Sequence, residues 1–438
     1  MSTMDSAENL IAELERLGIT VWAEANQLRY KAPQGGLTPG LKQRLTDNKG
    51  RLLALLSRAD GAWRGAQLPR RRTGAAMDTI RVFTEDDVPG AAALFARVYP
   101  EHRWSSQAAC ESYLREMLFD NPWRDPEVPS WVAEEEDGRI SGFYAVMPRR
   151  MSLRGRPVRV AVGCQFMVDP HRRNGLTALE MAKAFLSGPQ DLTLADGAND
   201  LSRRLWMGIG GTASPLYSLH WTRPLRPARY MASLVDERAM LPPALTFAAR
   251  PLGALADALV TRLRPNRFLR EQTELAEDAL DPAMMLAHLP DVLRGSALQP
   301  VYDARSLAWL LEQTACKTRH GRLRARAVRD RERLLGWYLY YVQPGGVSEV
   351  VQIAACDGSF DRVLQRLLAD AWRHGAAAVR GRLDPRFVQE HSARHCWLRT
   401  DGTWTLVHSR HADVMAAIQQ GDAFLSRLEG EWWLRFHG

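Results

Sequence analysis

The chain has 438 residues, 46% of them hydrophobic and 25% charged, and its 58 Lys and Arg outweigh 50 Asp and Glu for a net charge of +8. That length holds two to four domains, and the balance is that of a globular protein, which excludes a fibrous or low-complexity chain. No apolar run nears the roughly 18 residues of a membrane helix, no basic-then-apolar secretion signal opens the chain, and Cys110, Cys164, Cys316, Cys356 and Cys396 are scattered and odd in number, so the expectation is a cytoplasmic protein with no membrane partner.

The first unit spans residues 1–58. Leu10 to Leu17 reads as a helix stopped by Gly18, and Ile19–Glu24 and Gln27–Ala32 alternate apolar and polar residues about Ala25-Asn26, the pattern of a hairpin. Leu37-Thr38-Pro39 opens a second helix with an apolar stripe at Leu41, Leu45, Leu52, Leu53 and Leu56. This segment resembles the TubC-type docking domain of nonribosomal peptide synthetases, through Gly18, Leu28-Arg29-Tyr30, Ala32-Pro33-Gln34-Gly35, Leu37-Thr38-Pro39 and the Leu52 to Leu56 end. The resemblance implies a small helix–hairpin–helix fold, often a homodimer. It also implies a binding strand, Trp22, Leu28, Arg29, Tyr30 and Lys31, that takes the tail of a synthetase by strand addition. Arg29 and Lys31 suit an acidic tail. Residues 59–78 carry Pro69-Arg70-Arg71-Arg72 and read as a solvated linker, so nucleic acid is not expected as a partner.

From residue 79 to 228 the pattern becomes α/β. Arg139 to Ala145 and Val158 to Met167 read as strands. Val168 to Thr177 is a tight loop with two Arg and one Gly, and Ala178 to Leu186 reads as a helix. The unpaired N–H groups of such a helix start favour an anion, and Gly175 lets main chain come close to it. Leu192 to Ala195 is a second short strand, followed by a helix capped by Asn199 and stopped at Gly210-Gly211.

Residues from about 79 to 227 resemble the GNAT acetyltransferases: Arg172, Gly175 and Thr177 fit that family's acyl-CoA signature, and Asn199, Ser202, Leu205, Trp206 and Gly210-Gly211 follow the spacing of its next helix. The resemblance implies acetyl-CoA or another acyl-CoA as co-substrate and no metal. Phe166, Met167 and Val168 would border the pantetheine arm. Arg172, Arg173, Asn174, Gly175, Leu176 and Thr177 would hold the pyrophosphate, with Asn199 nearby. Trp206 stands where many members have the Tyr that protonates the leaving thiolate, and an indole N–H has no useful acidity. Either another group then serves as acid, Tyr217 being the nearest phenol, or the thiolate leaves unassisted, or the domain binds without catalysing; Asp196, and Gln165 acting through water, are the candidate bases. The acceptor is a small-molecule or carrier-bound amine.

Residues 229–298 read as a helical bridging segment, and residues 299–438 as a second GNAT-like half. Arg333 to Tyr341, Ser348 to Ala354 and Phe360 to Trp372 echo the strands and helix of the first half, but Asp357 lies where an anion would sit. The fold class expected is α/β (α+β), two mixed-sheet halves behind a docking unit. The expected function is N-acyltransfer beside a peptide synthetase or polyketide line. The rival reading is a non-catalytic scaffold that acts through its docking domain.

Overall fold

A computed structural model describes residues 20–24, 27–31, 41, 45, 78–100, 104–172, 176–237, 275–400 and 402–432. The chain separates into two compact units, Met1–Ala75 and Ala76–Gly438. In the first, β1 (Thr20–Glu24) pairs antiparallel with β2 (Gln27–Lys31), Trp22 opposite Arg29 and Val21 opposite Tyr30, so two residues connect the strands as the alternation predicts. Leu41 and Leu45, one helical turn apart, are helical and buried. The helix expected over Leu10 to Leu17 and the rest of the leucine stripe lie outside the described residues.

The second unit begins with β3 (Thr79–Val82), α1 (Val88–Val98), α2 (Gln107–Leu118), β4 (Trp131–Glu134), β5 (Ile140–Leu153), β6 (Arg156–Val168), α3 (Leu176–Leu186), β7 (Leu192–Ala198), α4 (Asp200–Gly208), β8 (Thr212–Ser214), β9 (Leu219–Pro224) and α5 (Pro227–Glu237). It continues with β10 (Leu275–Ala279), α6 (Pro282–Leu293), β11 (Leu298–Pro300), α7 (Ala304–Ala315), β12 (Arg322–Asp330), β13 (Arg333–Val342), β14 (Val347–Ala355), α8 (Phe360–Arg373), β15 (Ala378–Arg382), α9 (Val388–Ala393), β16 (Trp397–Thr400), β17 (Trp404–Ser409) and α10 (Ala412–Gln419). Of the segment expected to be helical between 229 and 298, α5 and α6 are helices, while β10 pairs with β12 and Leu298 of β11 pairs with Leu153 of β5; residues 238–274 lie outside the described residues.

Two mixed sheets result, ordered β3-β4-β5-β6-β7-β17-β8 and β10-β12-β13-β14-β15-β9-β16. They exchange strands: β9, from the first half, lies between β15 and β16, and β17, from the second, lies between β7 and β8. Across the boundaries expected at 228 and 299, each sheet is completed by a strand from the other side.

Period-two patterning explains why both sheets are covered on both faces. In β5, Phe143, Ala145, Met147, Met151 and Leu153 enter a core shared by the two halves, whereas Tyr144 and Val146 pack with Met181 and Phe185 of α3. In β13, Trp337, Leu339 and Tyr341 enter the shared core, and Tyr338, Tyr340 and Val342 pack with Val363, Leu364 and Leu367 of α8. Fully burying one such side chain is worth about 1.5–3 kcal/mol, and the shared core draws such side chains from both halves.

Candidate active site

Val160, Ala161 and Val162 of β6 pair in parallel with Leu192, Thr193 and Leu194 of β7, and there the registered pairing ends. Three residues further on β6 is bulged: Tyr144 faces Phe166 and Ala145 faces Cys164, leaving Gln165 as the extra residue, with φ of 48°. A bulge of this kind turns main-chain donors away from the ladder. The diverging strands open a cleft of about 240 Å3. Its walls are Phe95 and Tyr99 at the end of α1, Tyr144 from β5, Gly163, Cys164, Gln165 and Phe166 from β6, Ala182 from α3, Ala195, Gly197 and Ala198 from β7, Asn199, Ser202, Leu205 and Trp206 at α4, Leu406 from β17, and Glu431 from the chain's last described residues.

The walls are largely apolar and pinned. Tyr144 packs against Phe166 and Phe185 with ring centroids 4.5 and 4.6 Å apart. Burial, then the charge of Glu431, then Cys164, push its phenol well above the usual range. Burial first and Glu431 second push the Cys164 thiol up in the same way, so it stays protonated and is no nucleophile. Trp206 is 3% exposed and donates its indole N–H to the Val407 carbonyl at 3.3 Å. Gly211 makes room for that ring, since a Cβ there would lie 1.7 Å from Trp206 Cδ1. The Gly210-Gly211 pair therefore stops α4 and seats an aromatic wall.

The loop between β6 and α3 is anchored at its start. Asp169, its side chain fully buried, accepts from the His171 N–H at 3.0 Å, Arg97 Nε at 3.0 Å and Arg139 Nη2 at 2.6 Å. Burial alone would raise its carboxyl, but these donors hold it below the ordinary carboxylate value. Arg172 ends a 3-10 turn, Pro170–Arg172, and Arg173, Asn174 and Gly175 lie outside the described residues. Leu176 opens α3, two residues before the expected start. Thr177 is buried and donates its hydroxyl to Asp78 at 2.8 Å. Of the expected pantetheine border, Phe166 lines the cleft, while the Met167 side chain enters the shared core and Val168 packs beside α3. Asn199 lines the cleft and caps α4, accepting from the Ser202 N–H at 2.9 Å.

Both expected catalytic groups stand apart from the cleft walls. Tyr217 is 1% exposed, and its hydroxyl donates to the Ala423 carbonyl at 2.6 Å and accepts from the Ala423 N–H at 3.0 Å. It clamps the chain after α10, and burial raises its phenol out of the useful range. Asp196 sits one residue behind the wall. Its carboxylate, fully buried, accepts from Arg382 Nη2 of β15 and from the Glu431 N–H, each at 2.5 Å. Its acceptor capacity is committed to structure. Tyr217→Phe is accordingly expected to lower unfolding free energy by about 2–6 kcal/mol, about 1–3 for each of the two main-chain groups left unmatched; urea denaturation checks it.

The sequence reading missed three groups: Tyr144, read only as a strand residue; Asp169, quoted within the loop without a role; and Glu431, some 265 positions beyond the bulge in an aromatic-rich tail. Asp169 alone left a local signal, a carboxylate two residues before the N–H it accepts from. No group of three or more His, Cys, Asp or Glu among the described residues is placed to hold a metal ion. No helix of the described residues is long and apolar enough to cross a membrane.

Comparison with known proteins agrees with this architecture. Residues 8–58 match the model of the TubC N-terminal docking domain, and residues 79–188 match the acetyltransferase (GNAT) domain. Pyochelin synthetase PchF of Pseudomonas aeruginosa (strain UCBPP-PA14) is 33% identical over 128 aligned residues, covering 25% of this chain. The chain spans 7% of that protein's length. A conserved protein of Enterococcus faecalis V583, named "Probable N-Acyltransferase", superposes with a TM-score of 0.50 at 8% identity over 79% of this chain and 74% of that one, a likeness of fold. A GCN5-related N-acetyltransferase from Kribbella flavida gives 0.49 at 14% identity over 78% and 74%. The chain thus carries a TubC-type docking domain followed by a GNAT domain within a mixed α/β fold.

Proposed function

We propose that the protein is an N-acyltransferase that moves an acyl group, acetyl in the simplest case, from CoA to an amine, and that residues 8–58 dock it to a peptide synthetase. The observation that carries the first part is the parting of β6 from β7 beyond Val162 and Leu194, with a bulge at Gln165 inside the cleft it opens. An acyl-pantetheine arm entering there meets the main-chain edge of β6, and the bulge supplies N–H groups for the carbonyl oxygen as it becomes an oxyanion. The loop ending at α3 offers main-chain donors to the pyrophosphate through Arg172, Arg173, Asn174, Gly175, Leu176 and Thr177. Thr177 contributes its N–H, since its hydroxyl already serves Asp78.

Most of the acceleration comes from holding amine and thioester together. The amine nitrogen attacks the thioester carbonyl carbon, the C–S bond breaks, and CoA leaves. A thiol with an ordinary value near 8.5 is a workable leaving group, so the indole of Trp206, fastened to Val407, is not asked to act as an acid. The docking reading draws on β1–β2: among the described residues these strands pair only with each other, which leaves sheet edges for a partner strand.

Titration calorimetry with acetyl-CoA, with release of free thiol over a panel of primary amines, tests the proposal. Saturable binding with amine-dependent thiol release is expected. Gly175→Val is expected to weaken binding by about tenfold or more, about 1.4 kcal/mol. Absence of binding overturns the acyltransferase reading. Binding without turnover favours a scaffold that acts only through its docking unit, a reading the occupied Trp206 N–H would then explain.

A further inference from the structure

The cleft is built mostly by the first half, with Leu406 of β17 beside it, yet its one charged wall comes from the C-terminal segment. Among the described residues that line it, Glu431 is the only carboxylate. The chain leading to it is secured at successive points. Arg427, buried, donates to Glu349 Oε2 at 2.6 Å. Leu428 is fully buried in the shared core. Glu429 accepts from the Tyr302 hydroxyl, from Gln352 Nε2 at 3.0 Å and from the Ser426 N–H at 2.7 Å. Gly430 lies so close to Asp196 that a Cβ would sit 2.0 Å from Oδ2, and the next N–H, that of Glu431, donates to Asp196 Oδ1. Asp196 is in turn held by Arg382 of β15. These contacts together deliver one carboxylate to the cleft wall.

We propose that Glu431 is the general base of the acyl transfer, set in place by Asp196 and contributed to the first half's cleft by the C-terminal segment. Resting on the acyltransferase reading above, this assigns the proton: an ammonium entering the cleft gives one N–H proton to the Glu431 carboxylate, the freed lone pair attacks the thioester carbon, and as the C–S bond breaks the second N–H proton passes, directly or through water, to the departing CoA thiolate, leaving the amide, CoA thiol and a protonated Glu431 that returns its proton to solvent. An apolar wall beside a single negative charge selects a cationic amine with an apolar body. Tyr144 on β5 and Cys164 on β6 face this charge and stay neutral, and the phenol of Tyr99, after α1, lines the same cleft. Behind it stand the Asp196–Arg382 pair and, on its own segment, Glu429 and Arg427.

Parent, Glu431→Gln and Glu431→Asp are compared in full-length protein by acetyl-CoA calorimetry and by thiol release with primary amines between pH 6 and 10. Expected are unchanged acetyl-CoA affinity, a fall in kcat/KM of about 100-fold or more for Glu431→Gln at neutral pH, as for loss of a general base, and partial recovery in Glu431→Asp. The deficit should shrink as pH rises and the amine loses its proton unaided, which a merely structural role does not predict. A deficit constant across pH, a variant within a few-fold of parent, loss of acetyl-CoA binding in Glu431→Gln, or a parent that binds acetyl-CoA yet acylates no amine each overturns the assignment. Failure of the parent to bind acetyl-CoA sinks the acyltransferase reading instead.

Discussion

Asp196→Ala is expected to cost about 3–5 kcal/mol of unfolding free energy and nearly all acyl transfer. The first number follows from burial. The Arg382 side chain is 3% exposed and that of Asp196 fully buried, so removing the carboxylate strands a guanidinium in the interior. Arg382 Nε and Nη1 have no hydrogen-bond partner as it is, and Nη2 spends its bonds on the Asp196 carboxylate and the Asp196 carbonyl. The second effect follows from the Glu431 N–H, which loses the acceptor that fixes it at the cleft wall. A second variant separates the two. Removing both charges, Asp196→Ala with Arg382→Met, replaces a buried pair by apolar groups, a change that is often neutral, so stability should return to within about 1–2 kcal/mol of the parent. Turnover should not return, because the Glu431 N–H still lacks its acceptor. Denaturant midpoints and thiol release measure both, and a double variant as unstable as Asp196→Ala would remove the charge-pair explanation.

Local pattern carried much of this fold. The apolar stretch from Val158 to Met167 is β6, the Asn199 cap and the Gly stop bound α4, and the alternation about Ala25-Asn26 is the β1–β2 hairpin. Each depends on residues within a dozen positions, where period and capping chemistry act directly. The echo of Gly142-Phe143-Tyr144 in Gly336-Trp337-Tyr338 is physical as well: both strands are buried on two faces, and both are bulged against the next strand, at Gln165 and at Val351.

What stayed hidden is long-range. Asp196 reads as a solvated carboxylate after a short strand, and only its placement against Arg382, 186 positions away, shows that it is committed. Tyr217 follows Ser-Pro-Leu and reads as a phenol near the cleft. Its two bonds to Ala423, 206 positions away, decide otherwise. Glu431 follows a Gly and precedes two Trp, so composition points to packing and says nothing of proton transfer. The exchanged strands are the clearest case. Leu219–Pro224 and Trp404–Ser409 are both short and rich in Trp, Thr and His, so neither declares its sheet. Register with β15 or β7 is settled by the facing surface.

That exchange makes a prediction about the halves themselves. Residues 76–250 and 251–438, cut within a stretch outside the described residues, are expected to be insoluble or aggregated when produced separately and to recover a soluble 1:1 complex when produced together. Alone, the first fragment loses β17 from between β7 and β8 and β11 from beside β5, while its own β9 has neither β15 nor β16 to pair with. The second loses β9 from between β15 and β16. Unpaired strand edges of this kind recruit other chains, and the shared core, with Phe143 and Met147 from one half and Trp337 and Leu339 from the other, would be laid open. Co-production restores both sheets and returns Glu431 to its wall beside Asp196, so acyl transfer should reappear with solubility. A soluble monomeric 76–250 with a cooperative melt near that of the parent would show that β9 folds back into its own sheet, and Glu431 would then lose its physical route to the cleft.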